Sequence, residues 1–269
     1  MSINLTGVSQ TLMMPLVGRY VISKQNPKLF YDAKSVELVE SLDYNFAPII
    51  ARYNSKFTKY IFCARSIFCE QIIEEQLKKF LKLVVVDLGA GFDTTFYRVN
   101  NPNITWVNLD LEEVIQLREH IFQNEDGVHN ISGSIFDDFW YEKIKSLGSN
   151  ILFISAGVLS YFPNLKVKEF ISNLAKSFPG SKLLFDYSGT KTNVYINETI
   201  KKSGIKSAFM QLAIDQESEI VDLLSNNTNF KTYRYYFALN KNEAITFKDS
   251  LVLKWLDFNF KSGYVLVDF

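Results

Sequence analysis

Cysteine, histidine and proline are scarce in this chain of 269 residues, with only two, two and six respectively. Cys63 and Cys69 fall on one predicted helix at a spacing that does not bring them face to face, so a disulfide framework is not expected and their role is packing. His120 and His129 lie in or after the helix predicted from Leu111 to Phe122, which makes a histidine general base improbable, and no group of residues has metal-ligand spacing. Charge of one sign is missing too: 29 basic and 29 acidic residues cancel, which argues against a nucleic-acid partner held through its phosphates. No stretch approaches the roughly 20 apolar residues of a membrane span, so no membrane partner is expected. The first residues lack the basic start and apolar run of a secretory signal, and the expected location is cytoplasmic. Neither internal repeats nor low-complexity tracts occur. What the chain does have is 47% hydrophobic residues, enough at this length to bury a large core without disulfides or metal.

The most informative stretch is Val84 to Thr94. Val84, Val85 and Val86 are continuous and β-branched, as suits a parallel strand covered on both faces. Asp87 follows, and Gly89 and Gly91 then supply positive φ or close backbone approach where a helix beginning after them would aim free N–H groups at a ligand. Thr94 occupies the place of the third glycine in a dinucleotide fingerprint, so Asp-x-Gly-x-Gly fits the first motif of S-adenosylmethionine (SAM) dependent methyltransferases better. A second strand, Thr105 to Asp110, ends in an acid about twenty residues on, where nucleotide folds place the carboxylate that binds ribose hydroxyls. Two readings of Asp110 stand, the ribose ligand and an N-cap for the helix that follows. A third strand end at Gly133 to Asp138 offers Asp137 either to an adenine amine or to a solvated turn.

A fourth strand is predicted over Asn150 to Phe162. Asn164 then caps a helix whose apolar face is Val167, Phe170, Ile171, Leu174 and Phe178, and Pro179-Gly180 stops it. The fifth strand is Lys182 to Tyr187. Strand and helix alternating at this spacing predict a doubly wound, mostly parallel α/β sheet with ligand chemistry at the carboxyl ends of its strands. Alternation in Lys231 to Leu239 and Leu251 to Phe269 predicts a terminal antiparallel hairpin on one edge. Residues 1–80 are expected to form a helical lid, with helices at Val36 to Leu42 and Tyr60 to Phe80. Residues 81–269 form the Rossmann-like core, with a helical insertion near 190–229.

Five blocks in order, Leu5 to Leu16, Cys63-Ala-Arg-Ser, Leu88 to Thr94, Asn108 to Ile115 and Gly157 to Phe162, resemble the leucine carboxyl methyltransferase family, in particular its bacterial branch acting in polyketide synthesis. The resemblance covers nearly the whole chain. It implies a class I SAM-dependent fold with a seven-stranded sheet, SAM as methyl donor, S-adenosylhomocysteine as product, and transfer to an oxygen, commonly a carboxylate. It further implies that Arg65 pairs with the cofactor's carboxylate, that Gly89 and Gly91 lie beneath it, that Asp110 holds the ribose and that Asp137 lies near the adenine. Asp87, Ala90, Asp93, Leu111, Ser134, Ile135, Phe136 and Ala156 complete the expected cofactor-binding set. Ala156 marks a departure, because the family usually has a glutamate there. Its loss either weakens cofactor binding or marks a protein that binds without catalysing.

Without a histidine base, a carboxylate acceptor is favoured over a hydroxyl, since it is already ionised near neutral pH. The acids available to a hydroxyl acceptor would be Asp186, Asp93 and Glu70. The acceptor is expected to be a small molecule or peptide. Candidates to meet it are Arg19 and Tyr20 in the lid, with Tyr161 and Tyr187 at strand ends. Arg19 reads equally as a surface arginine. The insertion's Tyr195, Phe209, Met210, Leu212 and Ile214 suit either a pocket lining or an ordinary packed helix.

Overall fold

Val84–Val86 form the middle of β1 (Leu83–Leu88), every residue of which is buried. In the computed structural model, residues 9–53, 59–122, 127–202, 209–225, 229–239 and 242–269 are described. The Leu5–Val8 part of the first family block lies outside them, as do residues 203–208 and 226–228 of the insertion. Among the described residues, β1 is joined by β2 (Ile104–Asp110), β3 (Val128–Ser132), β4 (Ile151–Ser155), β5 (Lys182–Tyr187), β6 (Asn229–Arg234) and β7 (Gly263–Asp268) in one sheet of order β3-β2-β1-β4-β5-β7-β6. The first five strands run parallel, while β7 is antiparallel to both β5 and β6. Strand order reverses between β1 and β4. A crevice forms at such a switch point beyond the carboxyl ends of the strands.

Period-two alternation sorts the sheet's side chains into two cores. Val84, Val86 and Leu88 face one way, together with Phe153, Leu183 and Phe185, against α7 (Tyr141–Leu147), α8 (Asn164–Ser177) and α10 (Glu217–Leu223). Leu83 and Val85 face the other way with Trp106, Leu152 and Leu184, against Cys63, Phe68, Ile72 and Ile73 of α4 (Lys59–Leu77). Both cysteines are buried in that packing, and no disulfide joins them. A third cluster draws α1 (Ser9–Gln25), α2 (Ala33–Ser41) and α3 (Ala47–Tyr53) onto Phe92, just past the glycine turn, and onto Phe122 at the end of α6 (Glu112–Ile121). Thus α1 to α3 pack beside the glycine turn and the end of α6, whereas α4 packs directly on the sheet.

Several expected boundaries move. Strand β4 stops at Ser155, where Ala156-Gly157 turns the chain into a short 3-10 turn over Leu159–Tyr161. Pro163 rather than Asn164 is the N-cap of α8. The terminal hairpin is wider than the alternation suggests: Phe247–Phe260 is a helix, α11, lying between β6 and β7, and β7 inserts between β5 and β6. Thr246 caps that helix by accepting a 3.1 Å bond from Asp249 N. In the insertion, Leu212 and Ile214 are buried in the main core, Ile214 also lining a groove with Tyr187, while Tyr195 is exposed.

The α11 junction carries one buried acid. Asp257 Oδ1 accepts from Tyr236 N at 3.1 Å, but Oδ2 has no partner. Burial pushes its carboxyl up to about 6. This lies above the value of roughly 4 expected in an unfolded chain. The contribution to stability is therefore full below about pH 4 and is lost as pH rises through about 6. Asp257→Asn should raise stability by about 1–3 kcal/mol at pH 7.5 and change it little at pH 4. Urea titrations of both proteins at the two pH values check this, and equal stabilisation at both would refute it.

Candidate active site

The carboxyl end of β1 breaks into a turn whose shape depends on two glycines. Gly89 has φ +77° and Gly91 φ +47°, in the left-handed region that side chains rarely adopt. A Cβ on Gly89 would come within 2.5 Å of Val158 Cγ2, so only glycine lets the turn pack on the β4 exit. Gly89 N donates to Leu109 O at 2.7 Å and extends the β1–β2 pairing to the turn. The helix beyond it, α5 (Thr95–Val99), is a single turn and a half, so the glycine backbone supplies most of the cradle.

Asp110 closes this cradle from the end of β2. Its Oδ2 accepts from Gly91 N at 2.8 Å and its Oδ1 from Leu111 N at 2.7 Å. Leu111 is the N-cap of α6, and the Asp110 side chain does not cap the helix. Each oxygen keeps a lone-pair direction for a ligand hydroxyl. Burial pushes the Asp110 carboxyl up, and the two backbone N–H groups work against that shift. Gly133 N donates to Asp110 O at 2.8 Å, which draws the turn carrying Ser134, Ile135 and Phe136 alongside. Asp137, by contrast, is exposed and lines a groove with Phe139, Asn173 and Lys176 against α8. Behind the turn, Asp87 is buried with Oδ2 unpartnered, and burial, with Asp93 nearby, pushes its carboxyl well above the ordinary range.

A buried ionic network fixes the turn from below, and Arg19 belongs to it. Its Nε donates to Asp32 Oδ2 at 3.0 Å and to Ser35 Oγ at 3.2 Å, and its Nη2 to Phe92 O at 2.6 Å. With 3% exposure it is not a surface residue, and its Nη1 lies 4.0 Å from Asp93 Oδ2. Tyr20 is half-buried among the apolar side chains of the third cluster. Asp32 also accepts from Arg98 Nη1 at 2.6 Å and from Thr94 Oγ1 at 2.5 Å. Glu70 accepts from Arg98 Nε and so is an arginine partner. The acid Asp93 accepts from Thr95 N at 2.7 Å, and although burial works the other way, Arg19 and Arg98 hold its carboxyl below the usual range. Sequence reading singled out neither Asp32 nor Arg98. It also missed Arg118, which donates from α6 to Gly91 O at 3.1 Å and to Asp93 O at 2.9 Å while its guanidinium lies over the Phe122 ring.

Across the crevice, Arg65 of α4 reaches the ends of β4 and β5. Its Nη1 donates to Asp186 Oδ2 at 3.2 Å, and Phe62 lies under the guanidinium. Ala156 is half-buried beside it. Tyr161 packs with Ile196 and Ile200 of α9 (Thr190–Lys202), near enough to Arg65 and Asp186 to feel their charge, and burial pushes its phenol up. Tyr187 is placed elsewhere, lining a second groove with Asp215, Arg234 and Asp257. Among the described residues no group of histidine, cysteine, aspartate and glutamate is arranged to hold a metal, and no helix is long and apolar enough to cross a membrane.

Comparison with known proteins agrees with this architecture. The profile of the leucine carboxyl methyltransferase family matches residues 14–175. The tetracenomycin polyketide synthesis O-methyltransferase TcmP of Streptomyces glaucescens is 27% identical over 190 residues, spanning 69% of this chain and 67% of that protein. A solved protein of Thermobifida fusca YX assigned as a methyltransferase shares the fold with a TM-score of 0.59 at 11% identity, covering 94% of this chain and 93% of its own. The magnesium protoporphyrin IX methyltransferase of Synechocystis PCC 6803, solved with bound SAH, aligns with a TM-score of 0.47 at 14% identity over 87% of this chain and 92% of that one.

Thr94, which stands where a dinucleotide fold has glycine, is fully buried and bonds both Asp32 and Arg98. Thr94→Val should cost about 1–3 kcal/mol, since a buried carboxylate loses a donor and a guanidinium an acceptor. Denaturant unfolding measures the loss. A change below about 0.5 kcal/mol, the usual effect of a surface substitution, would show that the hydroxyl is not holding the turn.

Proposed function

The chain belongs to the leucine carboxyl methyltransferase family, and we propose that it forms a methyl ester on the carboxylate of a small acid, with Arg65, the Gly89–Gly91 turn and Asp110 holding the methyl donor. It is a SAM-dependent O-methyltransferase with the class I fold. The name of its Streptomyces relative supports a polyketide acid as acceptor.

The observation that carries the binding reading is the glycine turn closed onto Asp110. Side chains are excluded from the turn by Val158 and by positive φ, so a flat ligand can approach the backbone, while the Asp110 oxygens offer acceptors for two hydroxyls. Those features fit an adenosyl group. Ser134, Ile135 and Phe136 stand beside them as adenine neighbours. When bound, the cofactor supplies an electrophilic methyl group on a sulfonium. This chain's part is to hold the acceptor in line with it and to keep water out, a role that falls to α1 to α3, which pack on Phe92 just past the glycine turn.

Support for a carboxylate acceptor comes from the acids and bases nearby. Asp186 is ion-paired with Arg65, Glu70 with Arg98, and the Tyr161 phenol is shifted upward, which makes it a poor base near neutral pH. A carboxylate needs none of them, because it carries no proton to remove. The Tyr161, Ile196 and Ile200 cluster offers an apolar wall for the body of such an acid.

Two measurements test this reading. With methyl-labelled SAM and a panel of carboxylic acids, the labelled product should release methanol in mild base, as esters do; a base-stable product would identify a methyl ether and overturn the carboxylate assignment. Asp110→Ala should weaken S-adenosylhomocysteine binding by about 1.5–3 kcal/mol in calorimetry, roughly ten- to a hundred-fold, through loss of a charged hydrogen bond. Unchanged affinity would remove Asp110 from the site.

A further inference from the structure

We infer that Asp186 binds the α-ammonium of the cofactor's amino-acid tail, so that Arg65 and Asp186 together form a clamp for a zwitterion. The inference rests on the cofactor reading above and concerns a residue at the end of β5.

An amino-acid tail carries a carboxylate and an ammonium on one carbon. A lone guanidinium meets only the first and leaves the second desolvated and unpaired in a closed crevice, which is costly. The observed arrangement avoids that cost. Asp186 Oδ2 accepts from Arg65 Nη1 at 3.2 Å and Oδ1 accepts from Gly157 N at 2.6 Å, with the two side chains only 13% and 11% exposed. A carboxylate has about four lone-pair positions and a guanidinium five N–H donors, so both keep capacity after these bonds. Opposite charges are thus fixed side by side at the mouth of the crevice, as a zwitterion requires.

The pair is built rather than incidental. Gly157 has φ +79°, and a Cβ there would lie 2.2 Å from Arg65 Nη1, so glycine admits the guanidinium while its N–H orients the acid. The next residue, Val158, is the one on which Gly89 packs, which joins the clamp to the glycine cradle. Asp186 supplies a carboxylate to the same corner from the neighbouring strand, and the pairing of β4 with β5 brings the two strand ends together.

The test is calorimetry with three ligands: S-adenosylhomocysteine, its deaminated analogue, and 5′-methylthioadenosine, which lacks the whole tail. Wild type should bind the deaminated analogue ten- to a hundred-fold more weakly than S-adenosylhomocysteine. Asp186→Asn, which keeps the acceptor for Gly157 N, should lose a similar factor for S-adenosylhomocysteine. It should bind methylthioadenosine unchanged, and the deaminated analogue unchanged or more tightly, because the acid no longer repels its carboxylate. Equal losses for all three ligands would make Asp186 a structural residue and overturn the clamp. So would equal wild-type affinity for the aminated and deaminated tails, a result that does not depend on the variant folding. Binding of methylthioadenosine with no discrimination between tails would defeat the clamp and leave the cofactor reading intact, whereas no binding of any of the three would defeat both.

Discussion

The carboxylate of Asp32 is the point on which the glycine turn and its cover both depend. It is fully buried and accepts from Arg19, Arg98, Thr94 and Ser35, the last through both its hydroxyl and its backbone N–H. A buried charge is tolerable only when it is paired and hydrogen-bonded. Burial would raise this carboxyl, yet Arg98 and Arg19 outweigh burial and hold it below the ordinary range. Because the partners come from α1, α2, α5 and Thr94 at the end of the glycine turn, none of these segments can shift without leaving a charge or a donor unmet. Removing one charged partner from such a group costs about 3–5 kcal/mol, far more than a surface pair contributes.

Rigidity of this kind has a functional consequence. Arg19 donates to Phe92 O and Arg118 to Gly91 O and Asp93 O, so the carbonyls of the turn are held by guanidinium groups while Asp110 and Leu109 hold its N–H groups. In a methyl transfer to an oxygen that carries no proton, orientation does most of the work, and a fixed cradle supplies it. On the opposite wall, Arg65 and Asp186 add a neutral pair of charges, in keeping with a chain that has no net charge.

Much of this was legible in the sequence because it is local. Val84–Val86, the glycines at 89 and 91 and the acid at 110 sit within one βαβ unit, and strand–helix alternation marks a mostly parallel sheet, although β3 ends at Ser132, before the Gly133–Asp138 stretch expected to close it. What escaped is non-local. Asp32 and Arg98 lie 66 residues apart, and nothing near either one announces the other. Arg19 reads equally as an acceptor grip and as a surface arginine, and its burial against Asp32, Ser35 and Phe92 removes the surface reading, through partners that lie 13 to 73 residues away. Leu251 to Phe260 carries apolar residues at irregular steps that satisfy neither period well, and Thr246 as a cap is the one local sign of the helix that forms there. Tyr187 and Asp186 are neighbours on β5, and the alternation of a strand sends them to different sites.

A crystal structure of the protein grown with S-adenosylhomocysteine tests the central claim most directly. The account predicts the ribose hydroxyls on Asp110, the adenine beside Ser134 to Phe136, the tail carboxylate on Arg65 and the tail ammonium on Asp186, with the Gly89–Gly91 turn unmoved. Ligand density lying outside that crevice, or a ribose facing away from Asp110, would contradict it.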